Sequence, residues 1–473
     1  MKFTIDVKSN CLQALSSIND TAGKGLIVLD MNSPVGFIND GDIRRLILNG
    51  GKLTDNVSKA MSKEYIKTKK RPSYSEATKL LNNGIKLIPL VSDKNEVLDI
   101  IDIMSIIRIP IHDPRLVGNE LKYLLNCIET NWISSQGSYV VDFENLFSKL
   151  HNSFYTTSTS SGTSALELAF RAVKSKKDGY VLVPDLTFGA TINAVVNAGL
   201  TPLICPIKQD DFSIDLSKIS KEILENTAAI CVVHLYGSAV CMEKIMQLKE
   251  KYNFFVVEDC AEALGSNLNG KRVGTFGDIA TFSFFGNKLI TTGEGGMLIT
   301  KNESLFEFIN LIKNHGMSSK KRYWHEVVGT NARMTNIQAA IGLGQLEKLE
   351  TVVEKKRNIH NIYYERLQNS KDKLKVWHEY LNIYSSYWLN LVIFKDKKNI
   401  PKLIKESKKM HIDLRRCFYP MHYLPAFKHY SKSNLDYSDS IYLYDHILCL
   451  PSGLNLENDQ ILAVCKLIES TLE

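Results

Sequence analysis

The chain has 473 residues, too many for one hydrophobic core, and 44% of them are hydrophobic and 23% charged. Its 58 Lys and Arg against 51 Asp and Glu leave a net charge of +7 spread along the chain, with no basic arm, aromatic-basic repeat or zinc finger, which argues against a nucleic-acid partner. No apolar run approaches ~18 residues, Met1-Lys2-Phe3-Thr4 opens no signal peptide, and nine scattered cysteines without C-x-x-C spacing imply free thiols in a reducing, cytoplasmic setting.

Residues 1–108 carry an internal repeat. Gly25–Asp30 and Pro34–Ile38 are echoed by Ile85–Val91 and Glu96–Ile101. Each unit reads as helix, strand, polar turn, strand, helix, with Leu12, Leu15 and Ile18 or Ala77, Leu80 and Leu81 at helical spacing. Two such units share one core. The stretch Gly36-Phe37-Ile38-Asn39-Asp40-Gly41-Asp42-Ile43-Arg44-Arg45 resembles a CBS module, a regulatory repeat that binds adenine nucleotides. The resemblance makes Asp42 a candidate ribose ligand, against an ordinary role as a helix cap. In the second repeat Met104 stands where Asp42 would fall.

Ile109-Pro110-Ile111-His112-Asp113-Pro114 blocks helix continuation, so the linker is placed at 109–118. Next, Asn119 to Asn131 reads as an amphipathic helix with Leu121, Leu124, Leu125 and Ile128 on one face. From residue 150, short apolar strands alternate with helices: Tyr180–Val183, Pro202–Pro206, Ala229–His234, Phe254–Glu258, Ile279–Phe284 and Met297–Thr300. That alternation predicts an α/β fold with a mainly parallel sheet covered on both faces and ligands at the strand ends. A large domain over 119–355 and a smaller α/β domain over 356–473 follow. Asn336 to about Leu367 reads as one long helix with Lys355-Lys356-Arg357 solvated.

Four stretches fall where strands end. Ser160-Ser161-Gly162-Thr163-Ser164 opens a helix and leaves N–H groups free for an anion; such residues are also ordinary N-caps. Phe188 follows a strand and suits stacking on a flat ring, or a core. Asp259 and Glu262 follow a buried strand, where carboxylates are costly without partners. Asp259 suits the pyridine nitrogen of pyridoxal phosphate and Glu262 its ring hydroxyl; a metal reading lacks partners at ligand spacing. Lys288 lies between an aromatic run and a glycine-rich turn, where an amine can form a Schiff base. Ser283, five residues earlier, adds a phosphate contact.

Together with Trp132–Gly137, Val233–Gly237, Asn314–Gly316, Gly329–Met334 and Phe418–His422, these stretches resemble the DegT/DnrJ/EryC1/StrS sugar aminotransferases over about residues 109–473, in the perosamine-synthase-like branch. The resemblance implies an aspartate-aminotransferase-like (fold type I) domain and pyridoxal 5'-phosphate. Lys288 becomes the Schiff-base lysine and proton shuttle, Asp259 pairs with the pyridine nitrogen and Phe188 stacks on the ring. Gly162, Thr163, Ser164 and Ser283 hold the phosphate, with Asn331 reaching in from a second subunit of a homodimer. Ser135, Gln136, His315, Arg415 and His422 are the candidate substrate contacts; Trp388, Arg415, Tyr419 and His422 line the sugar site or serve the structure alone, the more common role for such residues. The implied reaction moves an amino group from L-glutamate to a nucleotide-linked keto-deoxysugar, best a 4-keto-6-deoxyhexose. Family members that dehydrate carry histidine at the Lys288 position, so Lys288 favours transamination, with a sugar dehydratase as the alternative enzyme. A nucleotide sensor with a silent transferase domain is the alternative of another class.

Overall fold

A computed structural model describes residues 3–21, 23–152, 154–380 and 382–472. Met1 and Lys2, on which the leader reading partly rests, lie outside the described residues. The chain divides into two compact units, Met1–Ile109 with Lys408–Ile412, and Pro110–Ser407 with Asp413–Glu473.

The first unit contains the repeat. Helix Cys11–Asp20, hairpin Leu26–Asp30 and Ser33–Ile38, and helix Asp40–Leu48 are followed by helix Tyr74–Asn82, hairpin Leu87–Val91 and Val97–Asp102, and helix Met104–Ile107. The two hairpin turns place Met31 (φ 54°) and Asn95 (φ 64°) in the left-handed region. Capping boxes at Asn10, Asn39 and Ser73 start the longer helices. The first helix buries Cys11, Ala14 and Ile18 and leaves Leu12 exposed, one position off the expected face.

The second unit is organised by a seven-stranded sheet: β1 (Tyr155–Thr159), β2 (Tyr180–Pro184), β3 (Thr201–Cys205), β4 (Thr227–Val233), β5 (Phe255–Asp259), β6 (Ile279–Ser283) and β7 (Gly296–Thr300). Their spatial order is β1-β7-β6-β5-β4-β2-β3. The pairs β2–β3, β2–β4, β4–β5 and β5–β6 are parallel, and β7 runs antiparallel to both β6 and β1. Every residue of β4 is buried, as a strand covered on both faces requires. The edge strand β1 escaped the apolar pattern because its inner residues are Thr156, Thr157, Ser158 and Thr159. Those hydroxyls are satisfied locally: Ser158 donates N–H and O–H to Glu144 Oε1 at 2.7 Å, and Thr157 bonds Asn310 Oδ1 at 2.8 Å.

Three sequence expectations are corrected. The long C-terminal helix is two, Asn336–Leu346 and Leu349–Leu367. Lys356, expected in solvent, is 0% exposed; its ammonium donates to the Trp388 carbonyl at 2.8 Å and to the Ser452 carbonyl. Neighbouring Arg357 is drawn in by a bidentate pair with Glu379. The helix Glu120–Glu129 turns Leu121, Leu125 and Ile128 outward and buries Cys127. An antiparallel sheet of Leu374–Val376, Asn390–Phe394, Ile447–Leu450 and Arg415–Arg416, in that spatial order, completes this unit. No helix among the described residues is long and apolar enough to cross a membrane.

Candidate functional site

A cavity of about 440 Å³ opens beyond the carboxyl ends of β4, β5 and β6. After β6 the chain turns tightly: Phe284 N–H donates to the Gly295 carbonyl, Thr292 N–H to the Phe284 carbonyl, and Gln345 Oε1 accepts from Thr291 N–H. Gly295 has φ 158°, and a Cβ there would meet Thr292 Oγ1 at 2.3 Å, so the turn requires glycine. This loop presents Lys288, whose side chain is 14% exposed. Its Nζ lies 3.3 Å from Glu262 Oε1 and 4.3 Å above the centre of the Trp388 ring.

Asp259 ends β5 and is 5% exposed. The Ala261 N–H donates to its Oδ1 at 3.1 Å and the Thr191 hydroxyl to its Oδ2 at 3.0 Å. Burial pushes the Asp259 carboxyl up, while the Ala261 amide, Thr191 and the Lys288 charge oppose it. Glu262 behaves alike: burial raises it, Lys288 opposes, and the Tyr236 N–H donates to Oε2 at 3.1 Å. Tyr236 makes that bond from a left-handed conformation, φ 58°.

At the other end of the cavity, Ser161 caps the helix Gly162–Lys174 and Gly162 and Thr163 line the wall. A Cβ on Gly162 would fall 2.6 Å from that of Ser283, so the glycine lets Ser283 close against the helix start. Ser164 points back into the cap, its hydroxyl 2.9 Å from Ser161 Oγ and 3.1 Å from Ser160 Oγ. Phe188 lines the cavity 63% exposed, its ring 6.0 Å from that of Phe418 and tilted 54° to it. Arg415 and Arg416 also reach the wall.

The structure therefore gathers Gly162, Thr163, Phe188, Asp259, Glu262, Ser283, Lys288 and Arg415 around one space. Other candidates lie elsewhere. His422 is held by Asp185, which accepts from its backbone N–H at 2.9 Å and meets Nδ1 at 2.7 Å. Ser135 and Gln136 line a separate cavity of about 820 Å³ with Lys313 and Arg333. His315 and Asn331 are exposed, and Asn331 Oδ1 accepts from Arg333 Nε at 3.0 Å. Thr191 and Tyr236 had no individual signal in the sequence, although Tyr236 lies in the Val233–Gly237 stretch and Thr191 three residues after Phe188.

The metal reading gains a histidine that sequence spacing hid: ligand atoms of His234, Glu258 and Cys260 lie within 4.8 Å of one another. Glu258 is already saturated, by His234 Nε2 at 3.1 Å and the amides of Gly274, Phe276 and Gly277 at 2.7, 2.8 and 2.6 Å. Val240 N–H donates to His234 Nδ1, which leaves the imidazole proton on Nε2, facing Glu258. His234 and these amides hold Glu258 below its ordinary value although burial alone would raise it. This is a hydrogen-bond knot.

The first unit has its own cleft of about 370 Å³, lined by Lys24, Phe37, Asn39, Asp40, Tyr65 and Lys86 among others. Asp42 turns away into the capping box: its Oδ2 accepts from Asn39 N–H at 2.9 Å and its Oδ1 pairs with Arg45.

Residues 114–469 match the DegT/DnrJ/EryC1/StrS aminotransferase family. The GDP-perosamine synthase of Escherichia coli O157:H7 is 39% identical over 360 residues, 76% of this chain and 97% of that protein. The GDP-perosamine synthase of Vibrio cholerae is 37% identical over 366 residues, 76% of this chain and 98% of that protein. Among solved structures, Helicobacter pylori PseC, an aminotransferase involved in the biosynthesis of pseudoaminic acid, superposes with a TM-score of 0.72 and 26% identity, covering 77% of this chain and 99% of that one.

Proposed function

We propose a substrate and residue roles for an enzyme whose class is established: the chain belongs to the DegT/DnrJ/EryC1/StrS aminotransferase family and is a pyridoxal-phosphate-dependent nucleotide-sugar aminotransferase. In this reading the amino acceptor is a GDP-linked 4-keto-6-deoxyhexose and the donor is L-glutamate. The likeness to two GDP-perosamine synthases over nearly their whole lengths supports the GDP-linked sugar.

The residues present fit the cofactor: a half-buried amine, a buried carboxylate with lone pairs to spare, an exposed aromatic ring and a helix start surround one space. Bound there, pyridoxal phosphate supplies the electron sink that lets a Cα–H bond ionise. Lys288 carries and delivers the proton at Nζ as general acid and base. Glu262, 3.3 Å away, holds Lys288 on the reacting side. Asp259 keeps the pyridine nitrogen protonated. Gly162 and Thr163, with Ser283, take the phosphate at the helix start, and Ser164 supports them through Ser161. Phe188 covers the ring. Arg415 meets an anionic part of the substrate.

A second copy of the chain completes the site in this reading, bringing Asn331, His315, Ser135 and Gln136. The outward Leu121, Leu125 and Ile128, with Trp132 57% exposed, support such an interface. Residues 1–108 act as a CBS-like pair, and its Lys24–Asp40 cleft supports an adenine nucleotide there rather than at Asp42. Nine free cysteines, eight of them buried, support the cytoplasm.

The observation that carries the reading is Lys288 Nζ held beside Glu262 in a cavity that also contains Asp259. The experiment is the visible spectrum of the purified protein with pyridoxal phosphate, before and after L-glutamate. The expected result is a yellow band that glutamate bleaches and a GDP-linked 4-keto-6-deoxyhexose restores. No band overturns the catalytic reading, and restoration only by another nucleotide sugar overturns the substrate.

A further inference from the structure

Lysine has four rotatable side-chain bonds and about 2 kcal/mol of rotamer entropy, so a reactive amine needs walls. One wall at Lys288 is Trp388, which enters from the C-terminal part of the chain and is 4% exposed. Its ring lies 4.3 Å below Lys288 Nζ. Its indole Nε1–H donates at 2.7 Å to the carbonyl of Asn287, the peptide that leads into Lys288. Trp388 thus touches both ends of the lysine, the backbone that launches it and the amine that reacts.

Trp388 is itself fixed. The buried Lys356 ammonium donates to its backbone carbonyl at 2.8 Å. The Tyr236 ring lies nearly parallel to the indole, with centroids 6.4 Å apart and planes 11° off. The Tyr236 N–H in turn holds Glu262, and Glu262 meets Lys288. The contacts close a ring: Lys288, Glu262, Tyr236, Trp388 and back to Lys288. A buried tryptophan needs an acceptor for its indole N–H wherever it packs, and almost any carbonyl would serve. This one spends its single donor on the catalytic loop, and its face attracts an ammonium.

We propose that Trp388 is a positioning residue that sets the height and direction of Lys288 Nζ, with Lys356 holding Trp388 in place. This rests on Lys288 being the reactive amine. Loss of the indole lets Nζ wander, and a misplacement of about 1 Å costs on the order of 10²-fold in rate.

The test uses holoenzyme variants Trp388→Phe, Trp388→Leu and Lys356→Met. Four quantities are measured: the single-turnover rate of bleaching by L-glutamate, the KM for glutamate, the pH midpoint of the visible band, and Tm. For Trp388→Leu the bleaching rate is expected to fall about 10²-fold, with KM within about twofold. Its band midpoint moves down by about half a pH unit, because the aromatic face no longer favours the cation. Trp388→Phe keeps the face and loses the donor, so it recovers the midpoint and only part of the rate. Lys356→Met shows a milder fall in the same rate. Parent-like rate and midpoint in Trp388→Leu overturn the proposal. Should that variant not fold, Trp388→Phe decides, since a full parent rate at parent Tm leaves the indole donor without a role. A parent protein with no visible band overturns this inference together with the aminotransferase reading; a parent band with parent-like variants overturns this inference alone.

Discussion

The cavity around Lys288 takes its charged groups from the ends of buried strands. Asp259 and Glu262 are each 5% exposed, and burial pushes both carboxyls up. The cleft of the N-terminal unit takes its charges from a helix start and loops, and the side chain of Asp40 there is 64% exposed. Solvent reaches Asp40, which also pairs with Arg44 at 3.6 Å, so any ligand there would compete with water and with that pair. Asp259 has no such solvent, and a cationic ring nitrogen is the partner its surroundings withhold. A dry carboxylate suits chemistry, whereas a wet one suits reversible sensing.

Substitutions test how far that contrast holds. The largest effect belongs to Lys288→Ala, which should lower turnover by about 10³-fold or more; a variant within about tenfold of the parent would remove the lysine from the chemistry. Asp259→Asn comes next, with turnover down about 10²-fold and a cofactor-free protein no less stable than the parent. The sign follows from burial. Between the unfolded value near 4 and the raised folded value, the folded Asp259 holds a proton that the unfolded chain releases, so its contribution is present below about pH 4 and lost as pH rises through the raised folded value. The Tm advantage of Asp259→Asn should therefore widen as pH rises from about 4, and a gap that narrows would refute the assignment. Phe188→Ala should weaken cofactor binding by about 1 kcal/mol, roughly fivefold in Kd by equilibrium dialysis. An unchanged Kd would move the stacking role elsewhere.

The smallest effects on turnover are expected in the N-terminal unit. Asp40→Ala should leave basal turnover within about twofold and abolish any Tm shift produced by ATP. Asp42→Asn should keep the ATP shift and weaken its helix start by about 0.5 kcal/mol, through loss of the negative charge there. If Asp42→Asn removes the ATP shift and Asp40→Ala does not, the cleft has been assigned to the wrong carboxylate.

Much of the candidate cavity was legible because its residues end apolar strands or follow them closely: Asp259 ends β5, Lys288 comes soon after β6 and Phe188 soon after β2. The strand pattern located them and the chemistry of the side chains assigned them. What stayed hidden depends on distant partners. His422 was read as structural or as a substrate contact, and its partner Asp185, 237 residues earlier, holds it through two contacts. Trp388 was read as structural or as lining the sugar site, and only the fold brings it under Lys288. Lys356 looked solvated among Lys355 and Arg357, because composition does not reveal two buried carbonyls that need a donor. The edge strand β1 failed the apolar test because it buries hydroxyls instead of methyls.

Glu258 and Asp259 are neighbours on β5, and successive side chains of a strand face opposite ways. One faces His234 and three amides, and the other faces the cavity. The alignment of β5 against β4 and β6 is thus a single setting that fixes two properties together. A slip of one residue would bring the solvent-starved position to the donors and the donor-bound position to the cavity. Insertions and deletions within Phe255–Asp259 should consequently be tolerated far less than in the loops it joins, since no partial error exists that spares either the knot or the chemistry.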